Sequence, residues 1–385
     1  MATVEGVSAE GASAEGVGAG AEGAGESEAV GESEALAERM FAAAIGAAEL
    51  QAVYLGDRLG WYRALADFGP LTSTELADRT ATVERYAREW LEQQAVAGYL
   101  DVSADADRRY TLSAAHAAVL VDSDSLLYVA PMARLFVATT TSMPRLLDAY
   151  RHGGGVTWES MGVDAREGQA LLNRPMFLRQ LCQEFLPIIP DLHTTLTDGA
   201  KVADLGMGEG WSSVALAIGY PKVEVHGFDV DAASVAAARR HASDYGVDDR
   251  VHFSLVDVAG QAPEQERVES GTYDAVFAFE CLHDVPDPVG FLSTARSIAR
   301  PGAPVIVMDE RTASSFDPNA GQVEQLLYGY SLTCCLPDSL SHPGSVGTGT
   351  VMRKSTLESF ALAAGFERVD VLPIEHEFLR FYRLG

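Results

Sequence analysis

The stretch Lys201-Val202-Ala203-Asp204-Leu205-Gly206-Met207-Gly208-Glu209-Gly210-Trp211 decides the architecture. It opens as a short β-rich run, passes through glycines at alternate positions and enters a helical pattern near Trp211. A glycine-rich turn from strand to helix lets a ligand come close to the backbone, because no Cβ stands in the way. The chain holds 36 glycines, so a glycine triplet alone carries little weight. The strand before it and the helix after it give the motif its meaning.

Downstream, short β-rich runs alternate with helical stretches. Val202–Leu205, Val223–Phe228, Val251–Leu255, Tyr273–Phe279 and Pro304–Met308 read as strands, and helical patterns separate most of them. That alternation predicts an α/β fold, a parallel sheet with helices on both faces. The end, Val369 to Leu384, reads as two more strands around Leu372-Pro373. Acids fall at the carboxyl ends of the strands: Asp229 after the second, Asp257 after the third, and Glu280 in Phe279-Glu280-Cys281-Leu282-His283-Asp284 after the fourth. A carboxylate at the second position accepts both hydroxyls of a ribose. Asp257 stands where a side chain reaches an adenine amine. One acid at a strand end is commonly a cap, but three in succession point to a nucleoside cleft.

Upstream, residues 1–34 are Gly, Ala, Glu, Ser and Val in loose repeats such as Ala-Glu-Gly. Large apolar side chains are nearly absent, so this segment cannot bury enough surface to offset its ordering entropy. A disordered acidic tail is expected, with an acidic binding tail as the alternative. From Leu36 to Leu65 the pattern is helical, with Met40, Ala43, Ala44 and Ala47 on an apolar face. Thr72 and Glu75 have the spacing of a capping box and start a short helix. Thr82 reads as a second start, followed by Val83, Tyr86, Ala87 and Trp90 on one face. Tyr99–Val102 and Arg109–Leu112, joined by a polar turn, read as a hairpin. Three helices and a hairpin over residues 35–122 make a winged-helix pattern. Residues 123–198 read as a helical linker and lid, interrupted by Gly153-Gly154-Gly155, which is a flexible loop or a hinge. Residues 199–385 form the sheet domain.

Winged helices often bind DNA. Here the would-be recognition helix sets Glu84, Glu89 and Glu92 against Arg85 and Arg88, with no basic cluster to neutralise phosphates. A dimerisation and substrate-lid domain is the favoured reading. The net charge of −27 over 385 residues also repels nucleic acid and anionic lipid. No apolar run approaches the roughly 18 residues of a membrane span, and no basic start precedes an apolar stretch at the N-terminus, so no secretory signal is expected. The 4 cysteines (Cys182, Cys281, Cys334, Cys335) form no C-x-x-C pair, and free thiols in a cytoplasmic protein are the plain reading.

Dinucleotide fingerprints read G-x-G-x-x-G, whereas this loop reads D-x-G-x-G-x-G. It resembles the class I S-adenosylmethionine-dependent methyltransferases. The resemblance implies a Rossmann-like sheet, mainly parallel with an antiparallel last strand, and S-adenosylmethionine as cofactor. Carried over, Asp204, Gly206, Gly208 and Gly210 surround the amino acid part, Asp229 and Val230 hold the ribose, and Asp257 and Val258 hold the adenine. Phe279 and Glu280 join the cofactor set. Leu172-Asn173-Arg174-Pro175-Met176 is similar to a segment of natural-product O-methyltransferases whose methionine touches the cofactor, which adds Met176. Those enzymes carry a winged-helix domain that dimerises, and a catalytic histidine in a Leu-His-Asp sequence, matching Leu282-His283-Asp284. Asp309-Glu310-Arg311 and an aromatic C-terminus such as Phe378–Tyr382 fit bacterial members of that group. Met207 and Glu209 depart from the usual loop residues without removing a backbone donor.

The implied function is methylation of a small molecule, most simply at oxygen, with His283 as general base. A histidine that only shapes the pocket is the alternative at that position. Asp284 is expected to face away, because adjacent side chains diverge. No Asp and Asn cluster suggests a magnesium site, so no metal is expected. Competing readings are N-, S- or C-methylation, a winged-helix transcriptional regulator that senses S-adenosylmethionine, and a fold that holds the cofactor without transferring methyl.

Overall fold

The computed structural model describes residues 19–260 and 270–385, with side chains described from residue 30 onward. Helix α1 spans Ala19–Arg58, followed by α2 (Trp61–Phe68), α3 (Ser73–Thr80) and α4 (Glu84–Val96). Strands β1 (Asp101–Val102) and β2 (Tyr110–Thr111) pair antiparallel as a small wing. Then come α5 (Ala114–Leu120), α6 (Met132–Thr141), α7 (Met143–His152), α8 (Trp158–Met161) and α9 (Val163–Met176). Helix α9 runs on as a wider π-helical stretch over Phe177–Phe185. The described residues divide into two compact units, one ending at Gln51 and one spanning Ala52–Gly385.

The second half alternates strand and helix. After α10 (Pro190–Asp198) come β3 (Lys201–Leu205), α11 (Trp211–Gly219), β4 (Glu224–Asp229), α12 (Ala232–Asp244), β5 (Val251–Leu255) and β6 (Ala275–Phe279). Then follow α13 (Pro288–Ile298), β7 (Val305–Glu310), α14 (Gln322–Tyr330), α15 (Leu336–Leu340), α16 (Lys354–Ala363), β8 (Val369–Val371) and β9 (Leu379–Leu384). The seven strands lie in the order β5-β4-β3-β6-β7-β9-β8. The pairs from β5 through β7 are parallel, and β9 runs antiparallel to both β7 and β8. The expected mainly parallel sheet with an antiparallel last strand is therefore present.

Burial explains why these strands were legible. Every residue of β6 is buried, as is β7 up to Asp309, because helices cover both faces. Successive residues feed opposite faces. Val202, Phe277 and Ile306 enter one apolar cluster, while Ala203, Val276 and Val305 enter the other. Edge strand β5 alternates instead, with Val251 and Phe253 buried and His252 exposed. The chain turns left between α7 and α8, and Gly153 and Gly154 take φ of 83° and 79°. Gly155 lies against the Pro337 carbonyl oxygen, where a Cβ would overlap it, and the Val156 amide donates to that oxygen at 3.0 Å. Gly155 is thus fixed by packing, while Gly153 and Gly154 stand in open space.

Several boundaries move. Residues 1–18 of the expected acidic tail lie outside the described residues, but residues 19–34 belong to α1. Alanine and glutamate are strong helix formers, so a segment poor in core side chains still extends a helix. Met40, Ala43 and Ala44 of the expected apolar face are exposed, and the helix breaks at Gly60 rather than reaching Leu65. The capping box is present, since the Glu75 amide donates to Thr72 Oγ1 at 3.2 Å and the Thr72 amide to Glu75 Oε2 at 2.8 Å. Thr82 caps nothing. Its hydroxyl accepts from Trp61 Nε1 at 3.2 Å, and α4 buries Ala87, Trp90, Leu91 and Gln94 while Val83 and Tyr86 stay exposed.

The antiparallel strand β9 is central to the sheet's packing. Phe381 is fully buried and meets Phe185 with ring centroids 5.2 Å apart. Phe381→Ala is expected to cost about 3–5 kcal/mol, read as a lower urea midpoint with unchanged far-UV circular dichroism at zero denaturant.

Candidate active site

The carboxyl ends of β3, β4 and β6 open on one side of the sheet, where the strand order reverses around β3. The loop after β3 is shaped by its glycines. Gly206, Gly208 and Gly210 take φ of 67°, 54° and 79°, a left-handed region costly for other residues. A Cβ on Gly206 would lie 2.8 Å from Cys281 Cβ and Sγ, so β3 and the loop after β6 meet backbone to side chain. Gly208 has open space where its Cβ would be.

Asp229 ties this loop down. Its Oδ2 accepts the Gly208 amide at 2.8 Å and its Oδ1 accepts the Asp231 amide at 2.8 Å. Burial nevertheless raises its pKa, against the pull of those amides. Asp204 lies deeper. It is fully buried, and Oδ2 accepts from Ser212 Oγ at 2.5 Å and Ser213 Oγ at 2.6 Å. Burial pushes its carboxyl up to about 6. Asp204 therefore anchors the first turn of α11, while its backbone shapes the loop. Asp257 is exposed and holds its own turn, accepting the Ala259 and Gly260 amides at 2.9 Å and 3.0 Å. Val230 is exposed beside Asp229. Val258 and Phe279 point their side chains into the two apolar clusters, and Phe279 stacks on Phe277 at 5.3 Å.

Glu280 takes a left-handed φ of 50°, directed by its amide, which donates to the Met308 carbonyl at 2.7 Å. Its Oε2 accepts from Asn173 Nδ2 at 2.5 Å, and burial pushes its carboxyl up to about 7. Asn173 is the polar member of the Leu172–Met176 segment that reaches the sheet. Met176 is buried in the apolar cluster that includes Phe279. Arg174 lies 4.9 Å over the Trp211 ring and donates to Tyr245 Oη at 2.5 Å. The end of α9 thus grips both the glycine-loop helix and the end of β6.

His283 is 3% exposed and stands among carboxylates. Nδ1 lies 2.8 Å from Asp309 Oδ1 and 2.9 Å from Glu310 Oε2, and Nε2 lies 3.4 Å from Asp284 Oδ1. The turn through Leu282–Asp284 brings neighbouring side chains together, against the expectation that Asp284 faces away. Burial disfavours the imidazolium, but Asp284, Glu310 and Asp309 outweigh it and raise the ring's pKa well above its ordinary value. Asp309 settles as the ionised acid, held low by His283 despite its burial, and Glu310 is pushed well up by burial and by Asp309. Asp284 keeps 38% of its side chain exposed, although the oxygen that faces the ring is buried. Sequence reasoning noted Asp309 only as part of a short motif. Its position at the end of β7, beside β6, was the available signal for its meeting with His283.

Met352 is buried core, and Tyr328 Oη accepts from Arg353 at 3.0 Å. His376 Nδ1 accepts the Phe378 and Leu379 amides, both at 3.2 Å. The four cysteines are free thiols.

Residues 196–340 match the family model "Methyltransferase domain", and residues 47–122 match "Rv2258c-like winged HTH domain". The chain carries a methyltransferase domain behind a winged-helix domain. It is 35% identical over 104 residues to a ubiquinone biosynthesis O-methyltransferase of Bordetella pertussis, covering 27% of this chain and 40% of that one. The chain spans between 40% and 63% of the length of the curated relatives with the strongest matches. Across nearly its whole length it shares the fold of the mitomycin 7-O-methyltransferase MmcR, with a TM-score of 0.66 at 20% identity over 92% of this chain and 99% of that one. It also shares the fold of human N-acetylserotonin methyltransferase, whose structure holds S-adenosylmethionine, with a TM-score of 0.66 at 19% identity over 90% and 97% of the two chains.

The glycine loop is the strained part of this arrangement. Gly206→Ala adds both the left-handed penalty and the overlap with Cys281, and is expected to cost about 1–3 kcal/mol. Adding Cys281→Ala removes the Sγ overlap but leaves the Cβ overlap and the backbone cost, so the double variant recovers only a small part of the lost melting temperature.

Proposed function

We propose that this chain is an S-adenosylmethionine-dependent methyltransferase that methylates a hydroxyl of a small molecule. The observation that carries the reading is the Asp229 carboxylate holding the left-handed Gly208 amide at the carboxyl end of the sheet, inside a matched methyltransferase domain. The residues fit the cofactor. The glycine loop leaves open space at Gly208, Asp229 stands at the ribose position, Asp257 and its turn at the adenine position, and Glu280 suits the ammonium group. Met176, Val230, Val258 and Phe279 contribute packing or backbone rather than polar side chains.

S-adenosylmethionine supplies a methyl group already activated on a sulfonium. The protein must then align an acceptor, exclude water and take the acceptor's proton. His283 is the base in this reading, with Asp309 fixing the ring through Nδ1 at 2.8 Å, so that Nε2 faces the acceptor. Asp284 borders that edge and must give way as a hydroxyl approaches. The neighbouring acids favour the imidazolium, and only the deprotonated ring can accept a proton.

The winged-helix domain serves as a dimerisation and lid element in this reading. Four of its exposed arginines are paired within the domain, Arg85 with Glu89, Arg88 with Glu84, Arg108 with Glu92 and Arg109 with Glu75, which supports a role without nucleic acid. Exposed Leu36, Met40, Phe41 and Ile45 on α1 support a homodimer joined there. No helix among the described residues is long and apolar enough to cross a membrane. We place the enzyme in the cytoplasm on its free thiols.

Incubating the protein with methyl-labelled S-adenosylmethionine and metabolite extract is expected to label a small molecule. His283→Ala should lower kcat by about 10²–10⁴-fold while S-adenosylhomocysteine binding stays intact. Near wild-type turnover in that variant would remove the base assignment. Because the folded pKa of His283 is raised, kcat should climb as pH moves to the alkaline side of the ordinary histidine range. Asp309→Asn removes one of the stabilising carboxylates and should move that climb to lower pH.

A further inference from the structure

Away from the cleft, the sheet carries a second group of donor side chains. Strand β4 begins Glu224-Val225-His226, and the parallel register sets His226 directly beside His252 of β5. Alternation puts Glu224 and His226 on one face, so the three side chains converge. His226 Nε2 lies 2.6 Å from Glu224 Oε1, and the two imidazoles stand 5.4 Å apart at a steep 79°. One ligand atom from each of the three lies within 4.8 Å of the others. The other such groups among the described residues include His283 and belong to the cleft.

We propose that Glu224, His226 and His252 form a surface site for a zinc-type divalent cation. Two imidazoles and one carboxylate are the donor set zinc takes in three-ligand sites, with water completing the tetrahedron. Magnesium and calcium prefer oxygen donors throughout, and this set selects against them. Solvent reaches the group, since Glu224 is 49% exposed and His252 is exposed, so a fourth ligand has free access.

A built support lies behind the ring. Tyr273 is buried, and its hydroxyl meets His226 Nδ1 at 3.1 Å. Ligating histidines commonly have their second ring nitrogen held this way, which fixes the ring's orientation. The hydroxyl can donate or accept. With Nε2 protonated toward Glu224, Nδ1 accepts from Tyr273. When a cation takes Nε2, the single proton of the neutral ring moves to Nδ1 and donates to Tyr273, and protons leave to solvent only from the share of imidazolium present or from metal-bound water. Lys201 is the one opposing charge beside the group among the described residues. Its Nζ is 4.0 Å from Glu224 Oε1 and 5.6 Å from the centre of the Tyr273 ring, a long contact to the carboxylate that a cation would displace.

The site has a structural consequence. Strand β5 is the sheet's edge and pairs with β4 alone. A cation shared by His226 and His252 would cross-link the two strands through their side chains, about 10 Å along β4 from Asp229. Binding should therefore raise stability without entering the methyl-transfer cleft.

The test is calorimetric titration of the full chain, freed of metal by chelator, with zinc chloride. Wild type should show a binding event that releases protons, so that its heat changes with the buffer's ionisation enthalpy, and zinc should raise the melting temperature. His252→Ala and Glu224→Gln, both at exposed positions, should each weaken that event by about tenfold or more, and Tyr273→Phe by about 10–100-fold. Magnesium chloride should give no event. The free thiols and the His283 group also attract zinc, so the comparison with the variants is the deciding one. Equal zinc affinity and stoichiometry in wild type, His252→Ala and Glu224→Gln would overturn the proposal, as would no zinc binding by wild type.

Discussion

Asp229 accepting the Gly208 amide at 2.8 Å is the contact on which the candidate site depends. It fastens the glycine loop of β3 to the end of β4, and its second oxygen fastens the start of α12 through the Asp231 amide. The carboxylate accepts backbone amides on both oxygens while it is pulled out of water, and burial raises its pKa. A buried acid is tolerated when such donors satisfy it. Around that fixed point, Gly206, Gly208 and Gly210 must be left-handed, Asp204 must anchor α11 through Ser212 and Ser213, and Cys281 must lie against Gly206.

The second constraint is charge. His283 shares a buried space with Asp284, Asp309 and Glu310, and one imidazolium faces several carboxyl groups. Such a group persists only if protons are shared, and accordingly Glu310 is pushed up by burial and by Asp309 while Asp309 is pulled down by His283. A cationic cofactor suits this negative setting. Asn173 and Arg174 carry the same logic to helix α9, the first satisfying Glu280 and the second stacking on Trp211.

The sheet was legible because central parallel strands, buried on both faces, read as apolar runs between helical stretches, and the loop Asp204–Gly210 sat between the right two elements. The strand-end acids were legible for the same reason. What escaped was contact across the sequence. Asp309 meets His283 from 26 residues away, and that pairing is set by β6 lying beside β7. The side-chain directions of Val258 and Phe279 were hidden too, because a residue next to a cleft can still face the core. Gly155 shows the reverse case, where composition suggests freedom and packing against Pro337 removes it. The start of α1 moved because helix propensity, not core-forming side chains, extends that helix.

The central claim is that the carboxyl ends of β3, β4 and β5 bind an adenosyl amino acid cofactor through Asp229. Calorimetric titration of wild type and Asp229→Ala with S-adenosylhomocysteine, alongside NADH, tests it most directly. The account predicts a single S-adenosylhomocysteine site per chain, weakened about tenfold or more in Asp229→Ala, and no binding of NADH. Binding of NADH without S-adenosylhomocysteine, or unchanged S-adenosylhomocysteine affinity in a folded Asp229→Ala variant, would contradict it.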